Sequence, residues 1–288
     1  MSKVVLLLLC LLSLDIDRVT AQSVSARCSL GESRRPCPRS QDYLFLTNVT
    51  DVRALWVNPA GLALVPEASI IAELTFERLN GELRVEQYAV GFNSRGISVG
   101  YQRNRLVGEK PVSSLRTGFG FPFRGGSVGV AFSRYHQDST KSFGMDFGLF
   151  FVPTVAVQLG LAVRHVGRPS VRGADLPVTT VGAAQMTLSV IQLTWETAAV
   201  ERLQPDVSGF DFTYRAGVRL SLWKQLPVML IGAVDLGSNV RIDRLNVGFS
   251  MGGARQLTSI GSAVPRDNAP VFEHFSATFV ASQPLSGR

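Results

Sequence analysis

The sequence FGMDFGL at residues 143–149 and the sequence VAVQLGLAVR at residues 155–164 decide the fold. In both, large apolar residues alternate with small or polar ones. Successive side chains of a β-strand point to opposite faces, so each stretch predicts a strand with one apolar and one small or polar face. In a soluble sandwich the apolar face would form the core. Because the pattern recurs along most of a chain that starts with an export signal, we expect a transmembrane β-barrel with lipid outside and a polar lumen.

The composition agrees with a membrane protein that crosses the bilayer with strands. The 288 residues are 45% hydrophobic and only 18% charged, they include 27 glycines, and the mean hydropathy is +0.18. No stretch approaches the roughly 20 consecutive apolar residues that a spanning helix needs. A barrel distributes its apolar residues over every second position, which fits this sequence.

The N-terminus has the features of a secretory signal peptide. Lys3 supplies the positive charge, residues 4–12 the apolar run, and Val19-Thr20-Ala21 a cleavage site of small residues. We therefore divide the chain into a signal peptide (1–21), an N-terminal periplasmic or plug segment (22–66) and a transmembrane barrel (67–288). The expected location is the outer membrane of a Gram-negative type of cell.

Two cysteines remain after removal of the signal, which contains Cys10. Cys28 and Cys37 lie in a polar segment, and export places them in an oxidising compartment, where such a pair closes a small loop by a disulfide. The alternative is a metal site, but two cysteines without a nearby histidine make a poor ligand set. We expect neither a metal nor a cofactor.

Strand signals follow one another from residue 69 to residue 282 and predict about fourteen antiparallel strands. Connections are short, so no large extracellular domain fits between the strands. The predicted ranges are 69–78, 83–92, 96–103, 114–123, 127–135, 142–152, 155–165, 178–188, 190–201, 212–222, 228–235, 242–251, 255–264 and 272–282. Before them, Thr50 or Asp51 could cap a short helix that ends before Asn58-Pro59.

Charged residues occur at positions that the alternation places inside the barrel. Buried charges need partners, so one interpretation is ion pairs between strands or with the N-terminal segment. The other is a selective polar pore. The lumen-facing candidates are Arg116, Asp146, Arg164, Glu196, Arg215, Arg219 and Arg244.

The chain is basic, with a formal net charge of +7 and a pI of about 9.8. The basic residues are scattered, which does not indicate a nucleic-acid partner. On an outer-membrane barrel they more often meet lipid phosphates or line a pore, so we expect outer-membrane lipid as a partner.

The segment LWVNPAGLA at residues 55–63 resembles the Asn-Pro-Ala-Gly-Leu-Ala signature near the mature N-terminus of the FadL-like outer-membrane proteins. That superfamily includes fatty-acid and aromatic-hydrocarbon channels and the PorV-type barrels of the type IX secretion system. The resemblance implies a fourteen-stranded barrel with an N-terminal hatch inside the lumen. Asn58, Pro59, Ala60 and Gly61 are then the plug motif, although a purely structural turn that seats the plug would also explain them.

Three functions remain open. The resemblance favours passive uptake of small hydrophobic molecules, but the trimmed loops do not favour tight fatty-acid capture. The second hypothesis is a PorV-like anchor for secreted proteins or secretion components. The third, an outer-membrane lipid-modifying enzyme, rests on His274-Phe275-Ser276, where a histidine could activate a serine. Because the residue after Ser276 departs from the pattern of such enzymes, we expect no catalytic residue.

Overall fold

The structure, a computed structural model, describes residues 44–79, 82–105, 110–203, 209–222, 227–266 and 269–285. The predicted signal peptide, Cys28 and Cys37 lie outside these ranges, so the signal peptide and the disulfide stay predictions. In the described part of the chain, no helix is long and apolar enough to cross a membrane.

Short helices precede a long series of strands. Helix α1 (Ala54–Val57) is followed by a 3₁₀ helix (Pro59–Ala63). The strands are β1 (Glu67–Leu79), β2 (Glu82–Ser94), β3 (Ile97–Asn104), β4 (Val112–Phe123), β5 (Gly126–Gln137), β6 (Thr140–Thr154), β7 (Val157–Val166), β8 (Ser170–Val171), β9 (Ala174–Asp175), β10 (Thr179–Leu188), β11 (Ile191–Glu201), β12 (Phe210–Ser221), β13 (Val228–Leu236), β14 (Ile242–Met251), β15 (Arg255–Arg266) and β16 (Ala269–Pro284).

Fourteen of these strands form one closed antiparallel barrel, in which β1 pairs with both β2 and β16. This confirms the predicted fold class. The two remaining strands, β8 and β9, form a separate hairpin in the connection between β7 and β10, which are themselves paired. The sequence pattern did not predict this hairpin, because two-residue strands carry no periodicity.

The barrel has two distinct rims. The proximal rim contains the start of β1, the end of β16 and two-residue turns such as 95–96, 124–125 and 189–190. The distal rim contains the longer connections 105–111, 167–178 and 202–209. Bacterial barrels have short periplasmic turns and longer extracellular loops, so we expect the distal rim to face outwards from the cell.

Alternation along the strands sorts side chains between lipid and lumen. In β6, Phe143 and Phe147 are 65% and 44% exposed, whereas Asp146 between them is 5% exposed. The exposed side chains form an apolar outer belt, as a membrane-spanning barrel requires. The strands that alternate poorly in sequence, β10 and β15, place small residues such as Ala184 and Gly261 on the outer face, as their pairing with Trp195 and Phe275 shows.

Two local predictions were wrong in detail. The predicted strands 142–152 and 155–165 leave a turn at Pro153-Thr154, but the turn lies two residues later, because β6 continues to Thr154 through an irregularity in its pairing with β7. Such an irregularity tolerates proline, which has no N–H for the sheet. The helix begins at Ala54 with Arg53 in the N-cap position, where Thr50 or Asp51 was predicted. Asp51 lies in the turn before the helix, and its side chain accepts a hydrogen bond from the Arg53 N–H at 2.8 Å.

Residues 44–66, which we call the plug, lie inside the barrel and form its largest apolar core. Leu46, Val49, Val52, Leu55 and Leu62 are each 0% exposed. They pack against one another and against inward side chains from the wall, which are Ile71, Ala89, Ala131, Ala162, Val181, Ile231, Ile260 and Val280. The small inward face of the strands is therefore a packing surface for the plug.

Glycines on the inner wall make room for the plug, and we call these positions the glycine seat. A Cβ at Gly100 would lie 2.4 Å from the Trp56 ring, and one at Gly118 would lie 2.6 Å from Leu55. At Gly129 it would meet the Pro59 backbone at 2.3 Å. These positions are glycine because the plug approaches closer than any side chain allows.

We expect Gly148→Ala to destabilise the barrel by about 1–3 kcal/mol, because its Cβ would overlap Asn58 of the plug. A Cβ at position 148 would lie 2.1 Å from the Asn58 Oδ1. The measurement is the free energy of unfolding in guanidinium of the protein folded into lipid vesicles. Gly182→Ala is the matched control, because nothing lies within 4 Å of its Cβ position. Equal stability of both variants would contradict a close-fitting seat.

Candidate functional site

The lumen and its plug are the candidate functional site, and the Asn-Pro-Ala-Gly motif lies at their centre. The Asn58 amide donates to the carbonyl oxygens of Leu46 and Leu149, both at 3.2 Å, and its Oδ1 accepts from the Ala60 N–H at 3.2 Å. Asn58 thus joins two parts of the plug to β6. Pro59 occupies the first turn of the 3₁₀ helix, a position that suits a residue without an N–H.

Gly61 completes the motif because the plug folds back on itself there. A Cβ at Gly61 would lie 2.1 Å from the Val49 carbonyl oxygen and 2.9 Å from the Ala54 Cβ. Asn58, Pro59 and Gly61 therefore each have a structural reason. These contacts fit the interpretation of the motif as a turn that seats the plug.

Polar side chains of the wall satisfy the backbone of the plug. The Ser69 hydroxyl accepts from the Val52 N–H at 2.9 Å, and the Ser127 hydroxyl donates to the Ala60 carbonyl at 2.6 Å. Arg164 donates to the Val57 carbonyl at 2.5 Å. An irregular backbone inside a barrel needs such partners, because an unpaired buried N–H or C=O costs free energy comparable to a lost hydrogen bond.

The N-terminal end of the plug is held by a charged group that we call the Arg215 clamp. The guanidinium of Arg215 lies 2.9 Å from the Asp235 carboxylate and 3.8 Å from the Glu196 carboxylate. It donates to the Leu44 carbonyl at 2.7 Å and lies 4.4 Å from the centre of the Phe45 ring.

Glu196 completes the clamp by accepting from the Leu46 N–H at 2.5 Å. The Phe45 ring occupies the place that a side chain at Gly217 would take, since a Cβ there would lie 2.2 Å from the ring. Residues 44–46 are thus fixed to β11, β12 and β13 by charge, hydrogen bonds and ring contact together.

A second buried ion pair lies nearer the distal rim. Arg116 donates to the Asp146 carboxylate at 3.0 Å and to the Tyr135 hydroxyl at 3.2 Å. Asp146 also accepts from the His165 N–H at 2.8 Å. The pair joins β4 to β6 across β5 and carries no exposed charge, because both side chains are 7% exposed.

The two remaining lumen candidates are partly exposed. The register places Arg219 opposite Gln192 and Arg244 opposite Asp235. The structure therefore places all seven charged candidates on the inner wall. The contacts of five of them (Arg116, Asp146, Arg164, Glu196 and Arg215) with one another and with the plug agree with the pairing interpretation.

The connection 167–178 covers part of the distal side. Val171 and Leu176 pack against Val112 and Tyr135 of the wall. Arg172, between them, donates through its guanidinium to Asn104 and through its backbone N–H to Gln137, both at 2.8 Å. The lumen is thus occupied by the plug toward one rim and approached by this connection from the other.

Sequence reasoning missed several contributors. Ser69, Ser127 and Asp235 hold the plug or the clamp, and they share the inward face of their strands with candidates that were found. The alternation along the strands could have predicted that these residues face inward. It could not have predicted their contacts, because serine and aspartate are common at inward positions. Phe45 had no signal, because its role depends on where the plug crosses the lumen.

The His-x-Ser sequence lies inside the barrel and away from lipid. His274 is 8% exposed, and its Nδ1 lies 3.2 Å from the Glu86 carboxylate. A lipid-modifying site would have to face the membrane, so this placement does not favour that hypothesis. Within the described ranges, no three His, Cys, Asp or Glu residues are grouped so that they could hold a metal ion.

We expect Arg215→Met to lower the free energy of unfolding by about 3–5 kcal/mol, because it leaves the buried Glu196 and Asp235 carboxylates without their counter-charge. The control is Arg84→Met, whose ion pair with Glu82 is exposed and which should cost less than about 1 kcal/mol. Guanidinium unfolding in vesicles measures both. Similar losses for the two variants would show that the clamp is not a buried ionic group.

Comparison with known proteins supports the fold by structure alone. The sequence matches no protein-family model, and no curated protein matches it. Solved structures similar to it include the Pseudomonas putida toluene transporter TodX (11% identity, 83% of this chain and 95% of that chain, TM-score 0.48). Another is a Pseudomonas aeruginosa FadL homologue (9% identity, 82% and 94%, TM-score 0.48).

The Ralstonia pickettii toluene transporter TbuX carries the structural argument. Its similarity covers 81% of this chain and 94% of that chain, with a TM-score of 0.51 and 11% sequence identity. Both chains therefore share one barrel architecture over the matched part. The chain has a transmembrane β-barrel fold like that of TbuX.

Proposed function

We propose that the protein is an outer-membrane channel for the passive uptake of small hydrophobic molecules and that the plug is its gate. The fold that it shares with a toluene transporter supports this assignment. The substrate class is carried over from that likeness and from the Asn-Pro-Ala-Gly motif.

The observation that carries the proposal is a wide barrel closed by its own chain. Eight strands already fill their interior with side chains, and larger barrels enclose a cavity or channel. Fourteen strands enclose a lumen that here needs residues 44–66 to fill it. A lumen of this width, closed by a segment of the same chain, is the arrangement that a gated channel requires.

The plug is held by two kinds of contact, and they differ in how easily they separate. Residues 54–63 lie in the glycine seat, where release would expose apolar side chains such as Leu55 and Leu62 to water. Residues 44–47 also bury apolar side chains (Leu44, Phe45 and Leu46), but fewer than residues 54–63 do, and they are held in addition by the Arg215 clamp, whose polar contacts can be exchanged for contacts with water. We therefore assign the gating movement to residues 44–47.

Two engineered disulfides test this assignment. Leu46→Cys with Gly160→Cys ties the clamped arm to β7, since the Leu46 Cβ lies 3.0 Å from the Gly160 Cβ position. Ala63→Cys with Gly120→Cys ties the seated part to β4 over 2.8 Å. Both pairs must separate by about 0.5–1 Å to reach the Cβ distance of a disulfide. Cys28→Ser and Cys37→Ser in both variants remove competing thiols.

The measurement is uptake of labelled toluene, alkane and fatty acid into proteoliposomes, with and without reductant. We expect the arm disulfide to slow uptake at least about tenfold, reversibly, because the gate must move before a substrate passes. The seat disulfide should leave uptake unchanged. Equal uptake through both locked variants would contradict gating by the arm, and no uptake by the folded, reduced protein would contradict the transport function.

A second candidate function is favoured by one observation. In the described part of the chain, the plug packs against the apolar side chains of the inner wall, and the buried charges of Arg116 and Arg215 are paired with carboxylates. A barrel whose plug never moves would serve as a PorV-like membrane anchor for secreted proteins or secretion components. An absence of uptake in the experiment above, from a correctly folded barrel, would favour this candidate.

A further inference from the structure

Basic side chains form a cluster on the outer face of the barrel, on the distal side of β3, β5 and β6. Arg103 pairs with Ser113, Ser113 with His136, and His136 with Lys141, so these residues form one row across four strands. Arg134 lies one step further toward the apolar belt, opposite Leu115 and Phe143. We call Arg103, Arg134, His136 and Lys141 the basic cluster.

No acidic side chain neutralises this cluster on the outer face. The register places no Asp or Glu among the outward side chains that are described on β1 to β6. An acid close to the cluster in the described ranges is Asp138, in the turn between β5 and β6. It binds Lys110 at 2.5 Å, and this ammonium, with a smaller contribution from His136 of the cluster, lowers the pKa of the Asp138 carboxyl.

The cluster lies at the edge of the apolar belt, with aromatic rings beside it. The Arg134 guanidinium lies 5.8 Å from the centre of the Phe143 ring. Tyr88 and Tyr101 are in contact, with ring centres 6.1 Å apart, and Tyr88 pairs with Arg103. Tyrosines with basic residues are typical of the level at which lipid headgroups meet the hydrocarbon.

The cluster is confined to one side of the barrel. The outward side chains that the structure describes on β10 to β14 contain no Lys or Arg, as their pairing shows. Arg168 and Arg202, near the distal ends of those strands, are paired with Glu201 and Asp211. If the basic residues served only to attract the barrel to a negatively charged membrane surface, they would not need to lie on one side. Their one-sided placement therefore indicates a ligand bound at one position.

We propose that the basic cluster binds the headgroup of a membrane lipid that carries two phosphates, in the leaflet at the distal rim. The apolar belt below the cluster takes the acyl chains of such a lipid, and the cations meet its phosphates. This inference requires only the membrane-spanning fold and does not rest on transport.

The spacing of the cations supports a headgroup with two phosphates. Neighbouring strands lie roughly 4.8 Å apart, so Arg103 is about 10 Å from His136 and about 14 Å from Lys141 along the row. One phosphate is too small to meet both ends of this row. Arg103 takes one phosphate, and Arg134 with Lys141 takes the other, since guanidinium groups bind phosphate oxygens in bidentate fashion.

The test measures lipid binding to the full-length protein in non-ionic detergent by native mass spectrometry. The probes are bisphosphorylated lipid A, its monophosphorylated form and phosphatidylcholine. We expect the protein to bind the bisphosphorylated lipid most tightly. The triple variant Arg103→Gln, Arg134→Gln, Lys141→Gln should bind it about a hundredfold more weakly, because each cation near a membrane surface strengthens binding about fivefold and the three factors multiply.

A charge-matched control separates a binding site from net charge. The triple variant Arg95→Gln, Arg124→Gln, Arg241→Gln also removes three positive charges, but from turns elsewhere on the barrel. It should bind the bisphosphorylated lipid like the original protein. The double variant Arg134→Gln, Lys141→Gln replaces the triple variant if Arg103 proves necessary for folding, since both side chains are exposed. Equal loss in the control, unchanged binding in the cluster variants, or equal binding of the three lipids would overturn the proposal.

Discussion

The width of the barrel is the constraint on which the rest of the structure depends. Fourteen strands with an apolar outer face enclose more space than their inward side chains can fill. The chain fills the lumen with its own residues 44–66, which bury an apolar core of their own. Because the plug takes this space, the inward positions of the strands have to be small, and glycine occurs where the plug comes closest.

Filling a lumen with irregular backbone creates a second requirement, since every buried N–H and C=O of the plug needs a partner. Wall side chains supply these partners, from neutral hydroxyls such as Ser127 to the charged group around Arg215. The polar inner face is thus matched to the plug rather than to water. The same matching creates a difference along the plug, from the glycine seat to the clamped arm, and the proposed gate rests on this difference.

The outer face of the barrel is adapted to lipid. Its apolar belt surrounds the barrel, whereas the basic cluster lies on only one side of the distal edge. The basic cluster on β3, β5 and β6 is set by strand register, which aligns residues far apart in sequence into one row. The lumen and the basic cluster lie on opposite faces of the same wall, and strands such as β5 contribute Ser127 to one and Arg134 to the other. The period of two residues makes both roles compatible within a single strand.

The sequence by itself determined the barrel, its strand number and the inward placement of the charged residues, because alternation with period two is a local property that lipid and lumen enforce on every strand. The Asn-Pro-Ala-Gly motif indicated the plug. Only the tertiary structure decided what the inward residues touch. The contact of Phe45 with Gly217 and Arg215, the hairpin of β8 and β9, and the row from Arg103 to Lys141 depend on where the plug crosses the lumen and on strand register. Such contacts join residues that are distant in the chain, so no local pattern encodes them.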